Sequence, residues 1–215
     1  MRLVLLGPPG AGKGTQGQAL AQAFGVPHVA TGKIIRDQIA RGTEFGRRVQ
    51  AQIAAGNFVS DADVLYWVER RLAEPDAAEG YILDGFPRDT AQAEAFVHPL
   101  DAVVDLIVPD EALIERLSGR LVCPQCETAY HVVSQTPKRP GVCDRDGTAL
   151  VRRPDDDPNA VRRRLQIYHQ VTEPLQAYYD RRRLLVRVDA LGEPEAVTAR
   201  ILGALSDRAL AKRGF

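Results

Sequence analysis

The chain has 215 residues, with 28 basic and 28 acidic side chains, a formal net charge of zero and 45% hydrophobic residues. That balance excludes recruitment to nucleic acid or a membrane surface by bulk charge, and no apolar run approaches the roughly 20 residues that span a bilayer. The length suffices for one substantial core with small insertions.

Taken in order, Leu3 to Leu6 is an apolar run that reads as a strand buried on both faces. Gly7-Pro8-Pro9-Gly10-Ala11-Gly12-Lys13-Gly14-Thr15 follows, and Gln16 to Phe24 reads as a helix with Leu20, Ala23 and Phe24 on one face. Strand, glycine loop, helix is the context of a phosphate-binding loop. Glycines let several backbone N–H groups converge on one cavity. The helix start adds unpaired N–H groups and the positive end of its dipole. Lys13 supplies a full charge for the outer phosphates. The general pattern places a hydroxyl directly after the lysine, but here Gly14 stands there and Thr15 comes one residue late. That departure points away from GTPases and motor ATPases.

Val26 to Ala30 reads as a second strand, followed by a helix through Ile34, Ile35, Ile39 and Ala40 that ends at Gly42. Glu44 to Ala55 reads as another helix, with Phe45, Val49 and Ile53 in register and Gly56-Asn57 as its stop. Two helices here exceed what a simple crossover needs, so 30–59 reads as an insertion. Ser60 or Asp61 can cap the next helix, which carries Val64, Leu65, Trp67, Val68 and Leu72. Gly80 to Asp84 is a third strand, and Thr90 is the expected cap of a helix holding Ala91, Ala95 and Phe96. Val103 to Val108 is a fourth strand, followed by a helix through Leu113, Ile114 and Leu117.

Residues 121–158 break this rhythm with Pro, Gly, Cys and Arg, which marks a functional connection or a small domain. Helix returns near Asn159 with a stripe of Val161, Leu165, Tyr168, Thr172, Leu175 and Tyr179, which Pro174 should kink. Leu184 to Val188 is a fifth strand, and Pro194 to Leu205 a closing helix. The pattern predicts an α/β fold: a doubly wound, five-stranded parallel sheet with a helical insertion and a small lid. Ligands should collect beyond the carboxyl ends of the strands. Asp84 closes a strand there and can hold the water shell of magnesium, while Arg88 can fork onto a phosphate.

All three cysteines lie in the irregular segment, as Cys123-x2-Cys126, then sixteen residues, then Cys143-x2-Asp146. Two such knuckles can bring four ligands to one tetrahedral zinc ion. Spacing alone leaves the fourth ligand open between Asp146, Asp144 and His131. His28, His98 and His169 read as structural or exposed.

The loop GPPGAGKGT and the stretch Leu83-Asp84-Gly85-Phe86-Pro87-Arg88, with Gln92 four residues on, resemble adenylate kinases, the nucleoside-monophosphate kinase family whose long form carries a zinc-binding lid. The resemblance implies a P-loop kinase that transfers the terminal phosphoryl group of magnesium-bound ATP to AMP, reversibly, giving two ADP. It implies ATP contacts at Gly10, Ala11, Gly12, Lys13, Gly14, Thr15, Arg116, Arg120 and Gly192. It implies AMP contacts at Thr31, Gly32, Arg36, Val59, Gly85, Arg88, Gln92, Arg153 and Arg164. Lys13, Arg88, Arg120, Arg153 and Arg164 would neutralise the moving phosphoryl group, and Asp84 would hold the magnesium water shell. Asp155 and Asp156 match residues of lid closure. Zinc would take Cys123, Cys126, Cys143 and Asp146. The implied division is a core of 1–29, 60–120 and 159–215, an AMP-binding insertion of 30–59 and a lid of 121–158. The family's aspartate after Thr31-Gly32 is Lys33 here, which reads as a solvated side chain, with a pair to Asp84 or a phosphate contact as alternatives. The expected compartment is the cytoplasm and the expected state a monomer, with ATP, AMP and ADP as partners and neither nucleic acid nor membrane. Other readings are a UMP, CMP or GMP kinase, or a nucleotide-binding zinc module without turnover.

Overall fold

The computed structural model describes residues 1–54, 59–153 and 156–213, and their side chains except those of 53–54 and 210–213. The expected helix stop at Gly56-Asn57, Ile53 as a packing residue, and Asp155 lie outside the described residues or side chains.

Five strands form one parallel sheet: β1 (Arg2–Leu6), β2 (His28–Ala30), β3 (Tyr81–Asp84), β4 (Ala102–Ile107) and, later in the chain, Leu185–Asp189. A two-stranded antiparallel hairpin, β5 (Arg120–Val122) and β6 (Ala129–His131), sits between them in sequence, so the last parallel strand is β7. The spatial order β2-β3-β1-β4-β7 puts β1 in the centre. The chain passes from β1 to β2 on one side and from β3 across β1 to β4 on the other, which makes the carboxyl end of β1 the switch point where a crevice opens.

The helices are α1 (Lys13–Phe24), α2 (Thr31–Ala40), α3 (Glu44–Ala54), α4 (Asp61–Leu72), α5 (Thr90–Ala95), α6 (Asp110–Ser118), α7 (Pro158–Ile167), α8 (Pro174–Arg181) and α9 (Pro194–Arg213). Side chains alternate along β1. Leu3 and Leu5 pack with Leu20, Leu113, Val161 and Ile201 under α1, α6, α7 and α9, while Val4 and Leu6 pack with Val68, Phe86 and Leu175 under α4, α5 and α8. Each fully buried aliphatic side chain contributes about 1.5–3 kcal/mol. This two-sided burial explains why the strands read as continuous apolar runs.

Several local expectations shift. Helix α1 starts at Lys13 rather than Gln16, because Gly12 turns at φ 96° and acts as its N-cap. Ala23 is exposed, and the packed face is Gly17, Leu20, Ala21 and Phe24. The cap of α5 is Asp89, whose carboxylate accepts from the Gln92 N–H, and not Thr90. Along this helix Ala91 and Ala95 face solvent while Gln92, Ala93 and Phe96 are buried. Ala40 and Ile114 are also exposed. Ser60, not Asp61, caps α4. The stripe from Val161 to Tyr179 is buried apart from the half-buried Thr172. Before Pro174 it widens into a π turn over Tyr168–Thr172, closed by the Glu173 N–H on the Tyr168 carbonyl at 2.9 Å. The closing helix runs eight residues past Leu205.

Asp105 is the one acid among the core strands' inward positions that finds no hydrogen-bond partner among the described residues, at 1% exposure on the central strand β4. Burial pushes its carboxyl up to about 6; Glu173 adds to this, and Arg187 and Lys13 oppose it. A carboxyl raised in the folded state favours folding fully at pH values below the ordinary carboxylate range, and that contribution is lost as pH rises through about 6. Asp105→Asn is therefore expected to stabilise the protein at pH 8 by on the order of 2 kcal/mol and to have little effect at pH 4. Denaturant unfolding at the two pH values checks this, and an equal effect at both would contradict it.

Candidate functional site

The glycine loop leaves the carboxyl end of β1, where Leu5 is in register with Asp84 of β3 and Leu6 with Asp105 of β4. Gly10 has φ 87°, and a Cβ there would lie 2.9 Å from Leu117, so the loop can seat on α6 only without a side chain. Ala11 is buried, and Gly14 and Thr15 are exposed on the first turn of α1, whose leading N–H groups have no acceptor within the helix. The Lys13 ammonium folds back over the loop and donates to the carbonyls of Gly7 at 2.6 Å and Pro8 at 2.9 Å.

Charge gathers around this ammonium from distant parts of the chain. Burial pushes Lys13 down to about 8; Asp84 opposes the shift, while Arg88, Arg164 and Arg120 reinforce it. Burial also lowers Arg88, with Asp84 opposing and Arg164 adding repulsion. For Asp84, burial alone would raise the carboxyl, but His28, Lys13 and Arg88 outweigh it and hold it below its ordinary value. Four cations thus share one crevice, with Asp84 beside Lys13 and Arg88 and Asp156 beside Arg120 and Arg164, so positive charge is in excess. That imbalance suits a polyanion, which would relieve the repulsion and supply the missing negative charge.

Arg120 forks onto Asp156 at 2.8 and 2.5 Å, and Arg164 lies 3.5 Å from the same carboxylate. Asp156 is 1% exposed. It sets two arginines side by side and is therefore a positioning residue, a role that spacing alone does not reveal. Arg153 is half-buried at the end of the irregular segment. Arg116 donates to the Ala190 carbonyl at 3.0 Å, which ties α6 to the turn that carries Gly192. Arg200 also grips that turn, through the carbonyls of Asp189 and Leu191; nothing in the sequence singled it out.

On the other side of the crevice, Thr31 is buried and its hydroxyl donates to the Gly85 carbonyl at 3.0 Å. The Arg88 Nε donates to the same carbonyl at 2.9 Å. Gln92 is buried, accepts from the Arg88 N–H at 2.8 Å and donates to Asp61 at 2.6 Å. Gly32 lies under the Arg36 guanidinium, and Val59 is half-buried at the end of the insertion. Arg36 itself forks onto Glu127 of the irregular segment. Lys33 is exposed and pairs with Asp37 one turn on, at 2.6 Å, which agrees with the solvated reading. His28 is nearer the chemistry than expected, with its Nε2 3.6 Å from the Asp84 carboxylate.

In the irregular segment, the ligand atoms of Cys123, Cys126, Cys143 and Asp146 lie within 4.8 Å of one another. The Cys126 and Cys143 sulfurs are 3.6 Å apart, close to the edge of about 3.7 Å that ~2.3 Å metal–sulfur bonds give in a tetrahedron. Asp146 comes within 3.2 Å of the Cys123 sulfur. The alternatives are engaged elsewhere: Asp144 accepts from the Lys138 N–H, and the His131 Nδ1 accepts from Val133 and Ser134. Three sulfurs and a carboxylate oxygen at these separations fit a divalent metal ion. Among the described residues the segment has little core of its own, with Cys123, Tyr130 and Cys143 the buried members of its cluster.

Among the described residues, no helix is long and apolar enough to cross a membrane. The family model described as adenylate kinase matches residues 5–184. A relative named adenylate kinase from Anaeromyxobacter sp. (strain K) is 48% identical over 213 residues, covering 94% of this chain and all of the relative. Similarly named proteins from Moorella thermoacetica and Streptomyces avermitilis are 47% and 44% identical, covering 94% and 95% of this chain and 95% and 97% of the relatives. With glycine loop, acid-ended strand and arginine cluster all inside the matched region, the chain belongs to the adenylate kinase family.

Proposed function

We propose that the protein transfers the terminal phosphoryl group of ATP to AMP, reversibly, giving two ADP. The observation that carries this reading is the convergence of Lys13, Arg88, Arg120 and Arg164 on one crevice beside Asp84. Phosphoryl transfer asks for charge neutralisation and alignment more than for a base, because the attacking phosphate oxygen is already ionised. The relatives' name supports ATP and AMP as the two substrates.

In this reading Gly10 to Thr15 and Lys13 hold the ATP phosphates, and Arg116, Arg120 and the Gly192 turn lie along the rest of ATP. Thr31, Gly32, Arg36, Val59, Gly85, Arg88 and Gln92 receive AMP. Gln92 would exchange its bonds to Arg88 and Asp61 for the adenine edge, since a carboxamide matches a paired donor and acceptor. Arg120, Arg153 and Arg164 neutralise the phosphoryl group in flight. Magnesium enters with ATP, and Asp84 would face its water shell; bound there, the ion offsets phosphate charge. Residues 121–158 act as a lid that excludes water, 30–59 as the AMP-binding insertion, and 1–29, 60–120 and 159–215 as the core. Zinc is the metal that best fits three thiolates and one carboxylate in the lid.

The test is ADP formation from ATP with AMP, CMP, UMP and GMP offered in turn. Turnover is expected with AMP and at most a trace with the others. Preference for a pyrimidine or guanine acceptor would overturn the assignment.

A further inference from the structure

The two lid knuckles share one backbone turn but end on different residues, Glu127 and Gly147. In the first, the Glu127 N–H donates to the Cys123 carbonyl at 3.0 Å; in the second, the Gly147 N–H donates to the Cys143 carbonyl at 2.9 Å. The N–H groups of Cys123 and Cys143 likewise reach Thr128 and Thr148. Both turn residues adopt the left-handed conformation, Gly147 at φ 75° and Glu127 at φ 57°. Glycine suits that backbone, whereas an L side chain is disfavoured there. The first knuckle therefore carries a glutamate against its local preference.

The Glu127 side chain leaves the lid and meets Arg36 of α2, which is 91 residues away in sequence. Its Oε1 accepts from Nε at 3.0 Å and from Nη2 at 2.5 Å. That is the edge of the guanidinium that forks onto an oxyanion. Arg36 is also a candidate for the AMP phosphate. One edge cannot serve the carboxylate and the phosphate together.

We propose that Glu127 is a built-in competitor for the acceptor's phosphate: its carboxylate holds Arg36, and with it ties the lid to α2, until AMP displaces it. The inference rests on the reading that Arg36 receives the AMP phosphate. It makes AMP entry the event that breaks this contact, exchanging the Glu127 carboxylate on Arg36 for the acceptor's phosphate. It also sets AMP affinity below that of an unoccupied Arg36.

The test is AMP and ATP binding by titration calorimetry on zinc-loaded parent, Glu127→Gln and Glu127→Gly proteins. The glutamine variant keeps the backbone preference and the glycine variant relieves it, so a shared effect belongs to the lost carboxylate. Both are expected to bind AMP roughly two- to five-fold more tightly, the range an exposed ion pair supplies, with ATP affinity unchanged. Arg36→Ala should weaken AMP binding by itself and remove the difference between Glu127 and its variants. AMP binding that is unchanged or weaker in both Glu127 variants would overturn the competitor role while leaving the AMP site standing. Unaltered AMP binding in Arg36→Ala would overturn the assignment of Arg36, and the competitor role with it.

Discussion

Lys13→Ala is expected to lower kcat for ADP formation by roughly two to three orders of magnitude, with the folded protein intact. The ammonium donates to the Gly7 and Pro8 carbonyls and so stands over the loop at fixed reach. Alanine removes the charge from the outer phosphates just where negative charge shifts during transfer. Stability should not fall in step, because burial is the main cost of the Lys13 charge and Arg88, Arg164 and Arg120 add to it, with Asp84 in part opposing. Removing one member of a repelling group relieves the rest. A coupled ADP assay beside a thermal melt separates the two effects. Turnover near that of the parent, or a melt showing general unfolding, would contradict this account of Lys13.

Stripping the metal proposed for residues 121–158 is the second large perturbation. The cluster of Cys123, Tyr130 and Cys143 is too small to hold residues 121–158 by burial alone. Binding energy at a structural metal site is largely folding energy. One zinc ion per chain is expected by elemental analysis, and its removal by a chelator should lower the thermal midpoint by about 10 °C, the scale of 3–5 kcal/mol in a domain of this size. Activity should fall with it, because Arg120 borders the segment and Arg153 lies near its end, and both lose their fixed positions. Cys143→Ser should act in the same direction. A metal-free protein with unchanged midpoint and turnover would contradict the structural role of the cluster.

The sheet was legible because its central strands are buried on both faces, so Leu3 to Leu6 and Val103 to Val108 stand out as apolar runs. The loop was legible because phosphate binding by backbone groups demands glycines at set intervals with a lysine after them. Helix faces were less so. Ala23, Ala91 and Ala95 are apolar enough to read as core, yet alanine is equally at home on a solvated helix, and only packing decides. Gln92 shows the reverse, a polar side chain buried because Arg88 and Asp61 satisfy both ends of its amide. The site's longest-range contacts were not legible as pairs, although the resemblance marks Asp156 for lid closure. Asp156 joins Arg120 to Arg164, and Glu127 reaches Arg36, through contacts that exist only once the segment after β4 folds back over the sheet. Of these, Glu127 carried a hint: the Cys-x2-Cys knuckle ends in glutamate where its partner knuckle ends in glycine.

The central claim is reversible phosphoryl transfer between adenine nucleotides at the crevice around Lys13. Phosphorus NMR of the protein with magnesium and ADP as the only nucleotide tests it most directly, since no other phosphoryl donor or acceptor is present. The account predicts that ATP and AMP appear in equal amounts and that the mixture settles at the same composition reached from ATP plus AMP. ADP that stays unchanged with folded, metal-loaded protein, or that loses inorganic phosphate instead, would contradict it.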